Sequence, residues 1–270
     1  GEGITGLVHK YDSVSSGFVK SRNVEIWLPP DYESSDRSYP VLYMHDGQNV
    51  FNPATAYTQV DWGVDETMTE LIAADEVEPA IVVAVWNTNL RFPEYMPEKA
   101  IKQYMHPDTL ARKKEEGMNP LADEYLNFLV KELKPAVDKA YRTKPEQPNT
   151  YIMGSSMGGL ISMYATCEYP EVFYGAGCVS THWPAEDGIS VDYFRDHVAD
   201  PANHQFYFDF GTETLDAQYE PYQNEVDKIM KSAGYEEGEN WLTRKFKGAK
   251  HNEQYWNERM DVPLKFIFGK

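Results

Sequence analysis

Residues 150–167 read TYIMGSSMGGLISMYATC, and this stretch restricts the fold more than any other part of the chain. Residues 151–154 have the content of a strand, and 157–167 the content of a helix. Only a handful of Gly and Ser residues separates the two. A connection that short reverses a strand into a helix at one sharp corner, and such corners belong to sheets covered by helices. The turn is too tight for side chains next to Ser156, which accounts for the flanking Gly154 and Gly158. Ser156 itself is expected in a strained backbone conformation.

The remaining pattern extends the same architecture. Residues 6–12 and 18–28 alternate like an antiparallel strand pair. Val41–His45, then residues 81–86, 174–179 and 206–210, and finally Trp241–Phe246 follow as further strands. Several are near-continuous apolar runs, as in parallel strands covered on both faces. Helical periods lie between them. Residues 61–74 carry Met68, Leu71 and Ile72 with Asp61 as the expected cap, 121–141 carry an apolar stripe with a kink expected at Pro135, and Glu220–Ala233 alternates at the same period. The expectation is an α/β chain, 1–270 as one unit, with an eight-stranded sheet: two strands antiparallel, six parallel, helices on both faces. Residues 91–121, with Pro93, Pro97 and Pro107, fit no strand and read as an insert or flap forming a pocket wall.

Composition narrows the partners. The chain has 25 Lys+Arg against 43 Asp+Glu, a formal charge of −18, and that field repels nucleic acid and anionic lipid. No apolar run approaches the ~20 residues of a membrane-spanning helix. Cys167 and Cys178 lie in apolar surroundings and read as buried free thiols rather than a disulfide framework or zinc site. No His or Cys spacing suits a metal. Gly1 opens without a basic-then-apolar leader, so a signal peptide is absent or already removed. A mature secreted or periplasmic form is favoured over a cytoplasmic one.

The corner around Ser156 matches G-x-S-x-G between strand and helix, the arrangement that lifts a nucleophilic hydroxyl above a sheet and points a helix N-terminus at the reacting carbonyl. A serine hydroxyl needs a base. Of seven histidines, His251 follows the last strand and precedes the helical run 252–260, on the sheet edge that carries the corner; His182 and His197 sit one strand too early and His204 at the wrong end. The orienting acid belongs on the loop after the seventh strand, where Glu213 and Asp216 both fit and Asp216 is preferred. For the oxyanion, Met157 supplies one backbone N–H, and Gly47 or Gln48, in the loop after the third strand, supplies the other. Tyr95, Tyr104 and Trp183, with Trp86 at its strand end, are aromatic candidates for the pocket; Trp183 and Tyr95 are the expected substrate contacts.

MHDGQNVF, WGVDE, GSSMGG, GTETLD and GAKHNEQYWNERM, in this order and spacing, resemble the esterase family of α/β-hydrolases that includes esterase D, feruloyl and acetyl-xylan esterases and enterochelin-esterase-like proteins. The likeness runs from Val24 to Phe268. It implies an α/β-hydrolase sheet, a Ser-acid-His triad on Ser156 and His251 with an acid in the GTETLD loop, and ester hydrolysis without metal or other cofactor. Many members carry His-Gly-Gly after the third strand; here Asp46 holds the middle place. The function expected is a serine carboxylic-ester hydrolase working through an acyl-enzyme, of feruloyl or acetyl type, on small-molecule or polysaccharide-linked esters. A siderophore esterase or an acyltransferase on the same triad is the rival expectation, and a non-catalytic carbohydrate-binding protein of the same fold is the rival of another class.

Overall fold

The computed structural model describes residues 3–270; Gly1, on which the expectation about a leader rests, lies outside them. Eight strands, β1 (Leu7–Val14), β2 (Arg22–Leu28), β3 (Val41–His45), β4 (Ile81–Val85), β5 (Thr150–Ser155), β6 (Gly175–Val179), β7 (Gln205–Gly211) and β8 (Trp241–Phe246), form one sheet in the order β1-β2-β4-β3-β5-β6-β7-β8. β2 runs antiparallel to both of its neighbours and every other pairing is parallel. β3 to β7 are buried along their whole length. Helices on both faces leave no wet side to select polar residues, hence the unbroken apolar runs.

Successive residues of each strand point to opposite faces, and two separate cores result. Val41, Tyr43, Val83 and Ile152 belong to one, Leu42, Met44, Val82 and Met153 to the other. In chain order the helices are α1 (Val64–Ala73), α2 (Arg91–Tyr95), α3 (Glu98–Tyr104), α4 (Pro107–Glu115), α5 (Ala122–Asn127), α6 (Lys134–Ala140), α7 (Met157–Glu168), α8 (Ile189–His197), α9 (Glu220–Ala233), α10 (Glu253–Asn257) and α11 (Asp261–Phe268). α7 packs directly on β5 and β6, so the sharp corner before it lies at the carboxyl edge of the sheet's centre, where open α/β sheets place their ligands.

Three local expectations are corrected. Asp61 does not cap α1. That helix starts at Val64, and Gly63 holds the cap position with φ 58°, where the Asn257 side chain would lie 2.6 Å from any added Cβ. Between α5 and α6 the chain does not simply kink at Pro135: Phe128–Leu133 is π-helical, and the wider turn ends where Pro135 opens α6 without a backbone N–H to donate. Residues 91–121 contain helix, α2 to α4. Pro93 sits in the first turn of α2, Pro97 caps α3 and Pro107 begins α4. These prolines start helices, a role their fixed φ suits; read as breakers, they hid the elements they begin.

Candidate active site

Ser156 closes the corner between β5 and α7 with φ 59° and ψ −119°, a conformation L-residues rarely hold. The turn is tight enough that a Cβ on Gly154 would stand 2.8 Å from the Gly158 carbonyl carbon. Ser156 N–H donates to the Val179 carbonyl at 2.9 Å, and its own carbonyl accepts from His182 N–H at 3.1 Å. The corner is thereby pinned to the end of β6. Met157, first residue of α7, offers an N–H that the helix itself leaves without a partner.

His251 arrives on the loop after β8, where Gly248 at φ 82° turns the chain. Its Nδ1 lies 2.5 Å from Asp216 Oδ1, and its N–H donates to Thr214 Oγ1 at 2.9 Å. Of the two acids left open by the sequence, Asp216 is the one that meets the imidazole; Glu213 is exposed on the same loop. Asp216 Oδ2 accepts from Ser180 Oγ at 2.6 Å and from Gly211 N–H at 2.5 Å. Burial alone would raise this carboxyl. Hydrogen bonds from His251 and Ser180, the charge of His251 and the Gly211 N–H outweigh it and hold Asp216 below 3.8. The imidazole stands edge-on to Trp256 at 5.0 Å and to Tyr219 at 5.6 Å.

Behind the pair, Ser180 acts as a junction. Its hydroxyl donates to Asp216 and accepts from Trp256 Nε1 at 3.1 Å and Arg259 Nη2 at 2.8 Å. Arg259 in turn pairs with the buried Asp209 of β7 at 2.8 Å. Two side chains, His251 and Ser180, thus meet on the Asp216 carboxylate, and Trp256 and Arg259 hold Ser180 in place.

Ser156 and His251 share a cavity of about 390 Å³, whose other walls include Asp46, Asn49, Arg91, Glu253 and Trp256, with the exposed Tyr57 at its rim. Asp46 takes the left-handed conformation at φ 56°, and its carboxylate is gripped by Arg91 and Asn87. A Cβ on Gly47 would meet the Ala84 carbonyl carbon at 2.6 Å. Gln48 Oε1 accepts from Asn87 N–H at 3.2 Å. From this loop, Asp46 and Asn49 line the cavity and Gly47 and Gln48 do not.

The two aromatic substrate contacts expected from the sequence are corrected. Trp183 is 1% exposed, packs with Phe194 and Phe208, and donates its Nε1 to Gln223 Oε1 at 3.0 Å. Tyr95 is fully buried beside His45 and Tyr125, its hydroxyl accepting from Asp46 N–H at 3.2 Å. Large rings have more area to gain by entering the core than by lining a wet cavity. Conversely, the sequence reading passed over Arg91, Trp256 and Tyr219 and set His182 aside. A buried aspartate after β3 needs a cation, and that signal could have found Arg91. Among the described residues, Asp61, Asp65 and Glu66 group closely enough to offer three ligand atoms to a metal, and none of the three lines the cavity.

Residues 15–267 match the family model described as "Putative esterase". The chain belongs to that family and is an esterase. Over 210 residues this esterase is 28% identical to an endo-1,4-beta-xylanase/feruloyl esterase of Xylanibacter ruminicola, an alignment covering 71% of the present chain and 24% of that longer protein. The fold is similar to that of a ferulic acid esterase, with a TM-score of 0.72 at 20% identity over 98% of this chain and 99% of the other. It is also similar to the enterobactin esterase FES from Shigella flexneri, with a TM-score of 0.69 at 16% identity over 98% of this chain and 59% of that one. The eight-stranded sheet with its covering helices is thus the α/β-hydrolase arrangement. Among the described residues no helix of this esterase is long and apolar enough to cross a membrane.

Proposed function

We propose that this esterase cleaves carboxylic esters through an acyl-enzyme on Ser156, with His251 as proton carrier and Asp216 as its orienting acid. The reading rests on one observation: His251 is bonded through Nδ1 to a buried, ionised Asp216, and it shares a cavity with Ser156. A carboxylate on Nδ1 fixes the tautomer whose free Nε2 accepts a proton, and it stabilises the imidazolium that follows. Ser156 Oγ attacks the ester carbonyl as its proton passes to His251. The oxyanion is taken by the Met157 N–H and a second N–H on the turn after β3, from Gly47 or Gln48, since Asp46 N–H already donates to the Tyr95 hydroxyl. His251 returns the proton to the leaving alcohol, water enters, and the same steps in reverse order release the acid.

For the substrate we propose feruloyl or acetyl esters carried on polysaccharide. The relative from Xylanibacter ruminicola is named for both xylanase and feruloyl esterase activity. The cavity wall combines Arg91, Glu253 and Asn49 with Trp256 and Tyr57, groups suited to sugar hydroxyls and an aromatic ring rather than to a long alkyl chain. A net charge of −18 disfavours anionic siderophores. Replacing Ser156 by Ala is expected to abolish hydrolysis of p-nitrophenyl acetate and methyl ferulate with the melting temperature unchanged; retained turnover refutes the assignment. A panel of methyl ferulate, acetylated xylan and a siderophore trilactone ranks the substrates, and products formed with an added sugar acceptor separate transfer from hydrolysis.

A further inference from the structure

One large side chain at the mouth of the Ser156 cavity is left in water by a loop that is itself tied down. Tyr57 is 87% exposed, whereas the next most exposed large apolar side chain among the described residues, Phe92, is 50% exposed. The loop between β3 and α1 that carries Tyr57 is bonded to two walls of the cavity. Tyr57 N–H donates to Asn49 Oδ1 at 2.9 Å and Thr55 Oγ1 to the Gln48 carbonyl at 2.7 Å, which fixes the loop to the turn after β3. Thr58 Oγ1 donates to Glu253 Oε2 at 3.0 Å, which fixes it to α10, two residues beyond His251. Within the loop Ala56 is buried, and its carbonyl accepts from Gln59 N–H at 3.0 Å. The bonded part of Tyr57 is its backbone; among the described residues the ring meets no other ring, cation or hydrogen-bond partner.

A lone ring in water is ordinary on a protein surface. This one differs in where its backbone is anchored: between the turn after β3 and the segment that follows His251, on the rim of the cavity that Ser156 and His251 share. Resting on the sugar-ester reading of that cavity, we propose that Tyr57 is a specificity-determining residue whose ring face stacks on the sugar bearing the ester, with Glu253 accepting from a sugar hydroxyl. His251 hands its proton to the leaving alcohol oxygen, so that oxygen comes within hydrogen-bonding reach of the imidazole. The group that carries the alcohol then lies over the wall built by Asn252, Glu253 and Trp256 with Tyr57 and Thr58. The acyl chain leaves the carbonyl carbon in a different direction. A sugar ring offers a face of C–H groups with partial positive charge, and the face of a tyrosine ring carries the negative part of its quadrupole, so the two stack. Glu253 Oε2 is taken by Thr58, and Oε1 remains to accept from a hydroxyl and set the orientation of the sugar. A loop bonded in place before the sugar arrives spares the cost of ordering it, and a tyrosine side chain has two torsions to fix. A methyl ester has no ring to place there, so the contact sorts substrates by their alcohol.

The test compares two substrates that form the same feruloyl-enzyme and differ only in the alcohol: methyl ferulate, and ferulate esterified to a xylo-oligosaccharide. The quantity read, on the whole chain, is the ratio of kcat/KM for the oligosaccharide ester to kcat/KM for methyl ferulate. Tyr57→Ala is expected to lower that ratio about tenfold, the scale of one stacked ring. Tyr57→Phe keeps the ring face and is expected to keep at least about half of the wild-type ratio. An unchanged ratio in Tyr57→Ala overturns the proposal, because a structural role or a contact with the acyl group moves both substrates together. A ratio as low in Tyr57→Phe as in Tyr57→Ala overturns it too, by assigning the effect to the hydroxyl. A wild-type chain without preference for the oligosaccharide ester overturns the substrate reading and this proposal with it. A wild-type preference that survives in Tyr57→Ala, alongside an inactive Ser156→Ala, removes the Tyr57 contact alone and leaves the sugar ester and the nucleophile standing.

Discussion

The Arg91 guanidinium closes on the Asp46 carboxylate with Nε and Nη2 each 2.7 Å from a different oxygen, and Asn87 Nδ2 adds a third bond at 2.6 Å. This pairing answers a question raised by the sequence, which places an aspartate in the turn after β3 where the resemblance to the esterase family leads one to expect glycine. Burial would push the Asp46 carboxyl up, but the charge and hydrogen bonds of Arg91, with Asn87, hold it below 3.8. The left-handed backbone at Asp46 is thus held by an ion pair instead of being eased by a missing side chain.

Removing one partner of this pair leaves a buried charge alone. Arg91→Ala is expected to destabilise the fold by about 2 kcal/mol and to lower kcat more than about tenfold, because the turn beside Ser156 loses its clamp. Arg91→Lys keeps the charge without the fork and should fall between. Urea midpoints and kcat on p-nitrophenyl acetate report the two effects separately.

Asp216→Asn keeps the shape but presents the wrong group to His251 Nδ1. The imidazole then favours a tautomer that cannot take the Ser156 proton, and kcat should drop by about 10³ to 10⁴. Ser180→Ala removes one of the hydrogen bonds on Asp216 and leaves the His251 bond in place, so a loss of about tenfold is expected. Single-turnover acylation rates measure both.

Glycine is required at position 47 for space. A Cβ there would press on the Ala84 carbonyl at 2.6 to 2.7 Å, and backbone cannot yield as a side chain does. Gly47→Ala should cost about 2 kcal/mol and shift the turn that faces Ser156. Thermal melts and KM for methyl ferulate are the readouts.

Acid should weaken the fold in two windows. His45 is fully buried, its Nδ1 2.8 Å from the Tyr125 hydroxyl, and burial lowers its pKa from 6.5 to about 3. The unfolded chain therefore binds a proton that the fold refuses, and stability falls as pH drops from 6.5 towards 3, by up to about 1.4 kcal/mol per pH unit. Asp216, held below 3.8, contributes stability above that value and loses it as pH falls further. Asp65 works in the opposite sense. Raised to about 8 chiefly by burial, it stabilises the protonated fold most fully below 3.8, and this contribution is lost as pH rises through 8. Urea midpoints between pH 4 and 9 should fall less towards acid below pH 6.5 in His45→Asn and decline less from pH 4 to 8 in Asp65→Asn.

The chain's local patterns determined the strand and helix alternation, the strained corner at Ser156 and the placement of His251 after the last strand. Such features depend on side-chain period and on backbone room within a few residues, and both are written in sequence order. The choice of Asp216 over Glu213 had another origin: Ser180, held by Trp256 and Arg259 from far along the chain, bonds one carboxylate and not the other. Trp183 and Tyr95 went inward, while Arg91 reached Asp46 and Tyr219 came against His251, because burial and ion pairing are settled between elements that meet only when the sheet closes. Periodicity says which face of an element is apolar; only the assembled fold decides what stands opposite it.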